Sequence, residues 1–262
     1  MPSAHLVFFL VLHAFLSPVP SHPQQSQNPD ASLQLLQSLK ALSGSQTLAD
    51  LTLRSTVRHV SGSTDETGSA TLRTTSAGVS RVDLEFSSGQ WSEVVDTSSK
   101  TPSGSWSGPD STRHSIPLHN LFIPCAWFSP AFVISGGLST PGAHVSFVGQ
   151  ETLNEKLVQH FSIVQVFPTG VEDSATFQNL ATLDIFVDPI SQLPVAITFN
   201  RHPDDNLLLN IPVWIYFSDY RTIQNMQIPF RVQEYFNGVL SRDFQIQTVV
   251  INAGLTNASI QN

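Results

Sequence analysis

Charge is scarce in this chain. Asp, Glu, Lys and Arg make up 12% of its 262 residues, about half the usual quarter. The balance is acidic, with a net charge of −8 and a pI near 5.5. Such a chain lacks the basic footprint that nucleic acid requires and does not suit docking on anionic lipid surfaces. Cysteine is nearly absent. The lone Cys125 excludes an internal disulfide, and its setting, FIPCAWF, predicts a buried structural thiol. Nothing local supplies the base or positive charge that a nucleophilic thiol needs. After the N-terminal leader no stretch has the continuous apolar run of a transmembrane helix, about 18 residues.

Catalytic signatures are missing as well. There is no HExxH, GxGxxG or phosphate-binding loop, and no Ser-x-x-Lys. Gly104–Gly108 reads GSWSG, but Trp106 stands where a nucleophile elbow needs serine. His114 and His119 are five apart with a proline between them and no acidic partner at ligand spacing; His59, His144 and His160 fall on separate strands. No catalytic residue, metal or cofactor is expected. A hydrolase is the remaining enzymatic reading.

What the chain has is apolar bulk, with seventeen Phe and four Trp. Much of it follows the period-2 alternation of half-buried strands. The clearest stretch is 207–254. In Ile228–Phe236, Ile228, Phe230, Val232 and Phe236 share one face. Asn237-Gly238, a strong hairpin signal, turns into Val239–Ile251, where Phe244, Ile246 and Val250 share a face. The run Leu207–Arg221 is apolar on both sides: Val213, Ile215 and Phe217 alternate with Trp214, Tyr216 and Tyr220. Something must cover both faces. This is either a central strand under a helix or the aromatic wall of a cavity.

Earlier segments fit the same scheme. Leu6–Leu16 is a short apolar run followed by SPVPS, which reads as a signal peptide despite an n-region without Lys or Arg. No cysteine follows it for lipid attachment. Asp30 caps a helix over about Ala31–Leu42, with Leu33, Leu36 and Leu39 on one stripe and Gly44 as terminator. Strands are predicted at 50–60, 66–75, 79–86 and 90–96, then at 144–150, 157–167, 181–187 and 193–201. Thr97–His114, rich in Ser, Gly and Pro, reads as a long loop, either mobile or a lid. Ile116–Ser139 is apolar but cut by Pro117, Pro124 and Pro130, which predicts short helices near Leu118–Ile123 and from Pro130, the second ended by Gly136-Gly137. These helices would pack on a sheet face and cover Trp214 and Tyr216. The expected organisation is a signal peptide at 1–21, a tether at 22–29, one domain over 30–255 and a tail at 256–262.

Two phrases carry a family resemblance. LDIFVDPISQLPVAITF, Leu183–Phe199, resembles the strand, Asp-Pro turn, Leu-Pro, strand phrase of outer-membrane lipoprotein-sorting proteins. YFSDYRTIQNMQIPFRV, Tyr216–Val232, is similar to their F-x-D-Y-R, turn, I/L-P phrase. The order of elements over Ala31–Leu255 also resembles this periplasmic lipoprotein-carrier (LolA-like) family. The resemblance implies a mainly β (α+β) fold. It would be an incomplete antiparallel barrel of about eleven strands, with an N-terminal helix and short apolar helices covering the concave face. It implies an exported, periplasmic or secreted binding protein, not lipid-anchored, not an integral membrane protein, and monomeric. The ligand would be lipid, an acyl chain or the acylated segment of a lipoprotein. The expected groove is walled by Phe122, Trp127, Phe128, Phe132, Trp214, Tyr216 and Phe217. The competing reading is a structural or protein-interaction module of the envelope with a filled core.

Overall fold

The computed structural model describes residues 29–165 and 174–261; the expected signal peptide and all but the last residue of the tether lie outside them. The described strands form one antiparallel sheet that does not close on itself. Its first half is a meander of β1 (Asp50–Ser61), β2 (Thr64–Thr75), β3 (Val79–Phe86), β4 (Gly89–Asp96), β5 (Ser103–Ser107) and β6 (Arg113–Ser115). The second half runs through β7 (Ala143–Leu153), β8 (Lys156–Gln165), β9 (Thr182–Val187), β10 (Pro194–Arg201), β11 (Ile211–Ile223), β12 (Met226–Phe236) and β13 (Val239–Ile251). β1 pairs with β13, which joins the halves and leaves β6 and β7 as the two edges. The architecture is the expected incomplete barrel, mainly β, with thirteen strands rather than eleven.

Turn chemistry sets the hairpins. Asn237 and Gly238 have φ of 50° and 78°, Gln224 and Asn225 49° and 64°, Asn154 and Glu155 49° and 65°. Positive φ at both central residues is what a tight right-twisting hairpin needs. The two added strands arise in Thr97–His114, the segment expected to be a loop. Ser and Gly have low strand propensity, so tertiary pairing decides: β5 bonds to β4 and β6 to β5. At Gly104 a Cβ would lie 2.8 Å from Leu121 and 3.0 Å from Ile116, so the glycine lets β5 sit against the following apolar segment.

One bulge changes a face assignment. The β1–β13 register shifts after Arg54, where Ile246 and Thr248 pair with consecutive β1 residues and Gln247 is skipped. Beyond it the inward residues are Val249 and Ile251, and Val250 is exposed rather than sharing a face with Phe244 and Ile246.

α1 (Pro29–Ser43) and α2 (Pro130–Ser139) cover the concave face. α1 packs against β12 and β7. Ala31, Leu35, Ser38 and Leu42 form its buried stripe, which follows the 3.6-residue turn, and Ser43 is buried at its end. Leu33 and Leu36 lie around the helix from that stripe and are 58% and 47% exposed, contrary to the expected face. Gly44 terminates α1 as expected. Its N–H donates to the Lys40 carbonyl at 3.0 Å, and its φ is 57°. α2 starts on a proline as expected, but Gly136-Gly137 do not end it. A Cβ on Gly137 would lie 2.6 Å from Ile163, so this glycine serves close helix–sheet approach instead. Leu118–Asn120 is a single 3-10 turn. α3 (Ser174–Leu180) lies between the strands expected at 157–167 and 181–187, and α4 (Asn257–Gln261) within the expected tail, where Ile260 is fully buried. No described helix is long and apolar enough to cross a membrane.

Outside the sheet, β1–β4 are polar. Asp83 accepts from Arg81 and Ser92, at 2.8 and 2.9 Å, and pairs with Arg73. Burial would raise its pKa, but the hydrogen bonds from Arg81, Ser92 and Arg73 more than offset that, and the carboxyl titrates below its ordinary value. A carboxylate depressed on folding stabilises above its unfolded pKa and loses that contribution as pH falls through the folded value. Urea titrations of the wild type and Asp83→Asn at neutral and acidic pH should therefore converge as the pH drops below the ordinary carboxylate range. Gly44→Ala would set a methyl 2.1 Å from the Asn225 carbonyl oxygen at a positive φ. It should cost ~2 kcal/mol, read as a lower urea midpoint with unchanged slope.

Candidate functional site

The concave face is lined by the inward side chains of the sheet. Leu53, Val57, Leu72, Val82, Ile185, Ile197, Ile215, Val232 and Phe244 are all buried there. Across it runs the segment 116–129. Its prolines prevent a continuous helix, so it crosses as an irregular chain fastened at separate points. The Ile116 N–H donates to the Gly104 carbonyl at 2.9 Å. Asn120 is buried, and its side chain both donates to the His202 carbonyl at 2.9 Å and accepts from the His202 N–H at 3.0 Å. The Ser80 hydroxyl donates to the Cys125 carbonyl at 2.8 Å. Burial pushes the Cys125 thiol above its ordinary pKa, which keeps it protonated and unreactive.

Between this segment, α1, α2 and the sheet lies a cavity of about 680 Å³, within the range of small-molecule sites. Its apolar wall includes Leu39, Ile123, Ala126, Phe132, Ile163 and Leu183. Its polar rim includes Thr74, Ser76, Thr97, Ser135, Thr140 and Lys100. The groove residues expected from sequence divide into three sets. Phe122 and Phe132 line the cavity. Trp127, Phe128 and Phe217 are buried in the core beside it, with Trp127 edge-on to Phe128 at 5.6 Å.

Trp214 and Tyr216 are elsewhere. Strand alternation turns them to the outer face, opposite Val213, Ile215 and Phe217, and the short helices do not cover them. They belong to a separate cluster with Phe186, Val158 and Ala196, reached by Leu153 at the end of β7. Phe186 stacks on Trp214 at 5.1 Å and Trp214 on Tyr216 at 5.7 Å. The two-sided apolar pattern of β11 therefore has two separate covers, the helices inside and this aromatic stack outside.

The cavity's aliphatic wall was not legible in sequence. Leu39, Ile123, Ile163 and Leu183 come from four elements, and nothing distinguishes them from core. An internal ion pair left a weak signal. Glu234 and Arg242 occupy inward positions of the alternation, in phase with Val232 and Phe244. They are paired on the concave face through two hydrogen bonds, one of 2.9 Å. Burial would lower the Arg242 pKa, but the Glu234 carboxylate outweighs it and the guanidinium stays charged. The Arg242 guanidinium lies 5.3 Å from the centroid of the Trp127 ring. Arg201 lies 3.7 Å from Glu93 nearby. Among the described residues no group of three or more His, Cys, Asp or Glu is placed to hold a metal ion.

No family model matches the sequence, and no curated protein matches it. Solved structures do. A domain named as an outer membrane lipoprotein-sorting protein from Vibrio parahaemolyticus is 10% identical, with TM-score 0.55 over 89% of this chain and 97% of its own. A LolA superfamily protein from Nitrosomonas europaea gives 10% identity and TM-score 0.55 over 88% and 96%. A DUF1329 family protein from Desulfovibrio piger gives 8% and 0.54 over 88% and 95%. The chain thus has a divergent LolA-like fold.

Breaking the internal ion pair strands an enclosed charge. Glu234→Gln should destabilise by ~3 kcal/mol in urea unfolding. Replacing both partners, Glu234→Met with Arg242→Met, should recover most of that loss.

Proposed function

We propose that this protein is an exported carrier or binding protein that holds an acyl chain, of a lipid or of a lipoprotein, in the cavity under α2. The observation that carries the reading is the 680 Å³ space between sheet and helices, with aliphatic and phenyl walls and a hydroxyl-rich rim. The LolA-like fold supports it, and so does the N-terminal sequence. Binding would be passive transfer of methylenes out of water. Each is worth about 0.8 kcal/mol, so about ten would reach micromolar affinity. Phe122 and Phe132 would contact the chain. Pro124 and Pro130 flank the cavity's cover and interrupt its helical hydrogen bonding, so the cover can shift without unwinding a long helix.

Trp214 and Tyr216 are the natural controls, because they are aromatic but outside the cavity. In titrations with a fluorescent fatty acid, Phe132→Asp should weaken binding at least about ten-fold, while Trp214→Ala should not change it. Organic extraction of the detergent-free protein followed by mass spectrometry should show co-purifying lipid in the wild type. A clean extract together with no uptake of the probe would favour an interaction module instead.

A further inference from the structure

A second, smaller cavity of about 210 Å³ opens on the concave face near the β3–β4 turn, lined by His59, Phe86, Trp91, Glu93, Trp106 and Arg242 among others. Trp127 packs between the two cavities, against Phe244 at 5.9 Å and beneath the Arg242 guanidinium, so the small site is distinct from the acyl cavity. We propose that it binds a neutral polyhydroxylated ring, a single saccharide unit.

Three observations lead there. The first is the aromatic surface. Trp106 is 40% exposed on β5, and its ring is stacked on His114 at 4.3 Å. Trp91 stands on the neighbouring strand, with His59 tilted between it and Phe86 at 6.4 and 5.6 Å. Gly108 lies close over the Trp91 ring, where a Cβ would come within 3.3 Å. Flat indole faces suit the C–H face of a sugar ring.

The second is charge. Glu93 faces Arg201, and Arg242 is bonded to Glu234, so two carboxylates are matched by two guanidiniums. An ionic ligand would meet as much repulsion as attraction. A neutral one can use the free lone pairs and N–H groups of planar polar side chains, which hydroxyls accept and donate to equally.

The third is unmet hydrogen bonding. Nδ1 of His59 and Nε1 of Trp91 have no hydrogen-bond partner and are enclosed at the cavity wall, so each ring must turn toward the cavity for a ligand hydroxyl to reach it. A buried indole N–H can only donate, and leaving it unpaired is costly. A hydroxyl ligand supplies the acceptor; a quaternary ammonium does not.

The test is tryptophan fluorescence and saturation-transfer NMR on the full chain. The probes are glucose, galactose, mannose and N-acetylglucosamine, with choline and inorganic phosphate as ionic controls. The expected result is saturable binding of at least one sugar. It should be weakened about ten-fold by Trp106→Ala and by Glu93→Gln, with fatty-acid uptake unchanged in both variants. Trp106 is partly exposed on the short strand β5, next to the sheet edge, and circular dichroism should show Trp106→Ala folded. No saturable sugar binding, tighter binding of choline or phosphate than of any sugar, or binding indifferent to both substitutions would overturn the proposal. Loss of fatty-acid uptake alone would count against the acyl cavity and not against this site.

Discussion

The pairing of β1 with β13 is the constraint on which the rest depends. Leu51 faces Ile251 across the ladder, Leu53 faces Val249 and Val57 faces Phe244. These contacts span nearly the whole described chain, so forming them carries a large loop-closure cost. Local groups reinforce the seam. The buried Asp50 carboxylate accepts from the N–H groups of Ala253, Gly254 and Leu255, and the Asn252 side chain accepts from Ala49. Without the seam the molecule would be two meanders, each with one apolar face. With it, the inner faces become one continuous surface that α1, α2 and the proline-cut segment can cover. The larger cavity exists because that cover is irregular and cannot fill the curve beneath it.

Legibility followed the range of the determining interaction. The last hairpin was readable because Asn237-Gly238 acts locally, through the φ values these residues tolerate. The alternating faces of β11 and β12 were readable for the same reason. What failed needed a partner distant in sequence. β5 and β6 are strands because β4 offers an edge. The apolar stripe of α1 could not be chosen from Leu33, Leu35, Leu36 and Leu39 without knowing what it packs on. Val250 changed faces through a bulge that only the register with β1 reveals.

The candidate groove shows the same division. Alternation placed Trp214 and Phe217 on opposite sides of β11. Treating both as one cavity wall required the helices to cover a face that they do not reach. Phe122 and Phe132 fall on the cavity lining, in a segment that is apolar and broken by prolines. The aliphatic wall was invisible, because aliphatic cavity lining and aliphatic core have the same composition. The difference between them is an absence of atoms opposite.

An unclosed barrel keeps two strand edges, and both are blunt. β6 has only three residues, all exposed, and β7 breaks its ladder with a register shift between Phe147 and Gly149. Neither edge offers a long, evenly spaced row of backbone groups on which another chain could lay a strand. The sheet can therefore keep an adjustable mouth while remaining finite. Its open form gives no template for growth into fibrils.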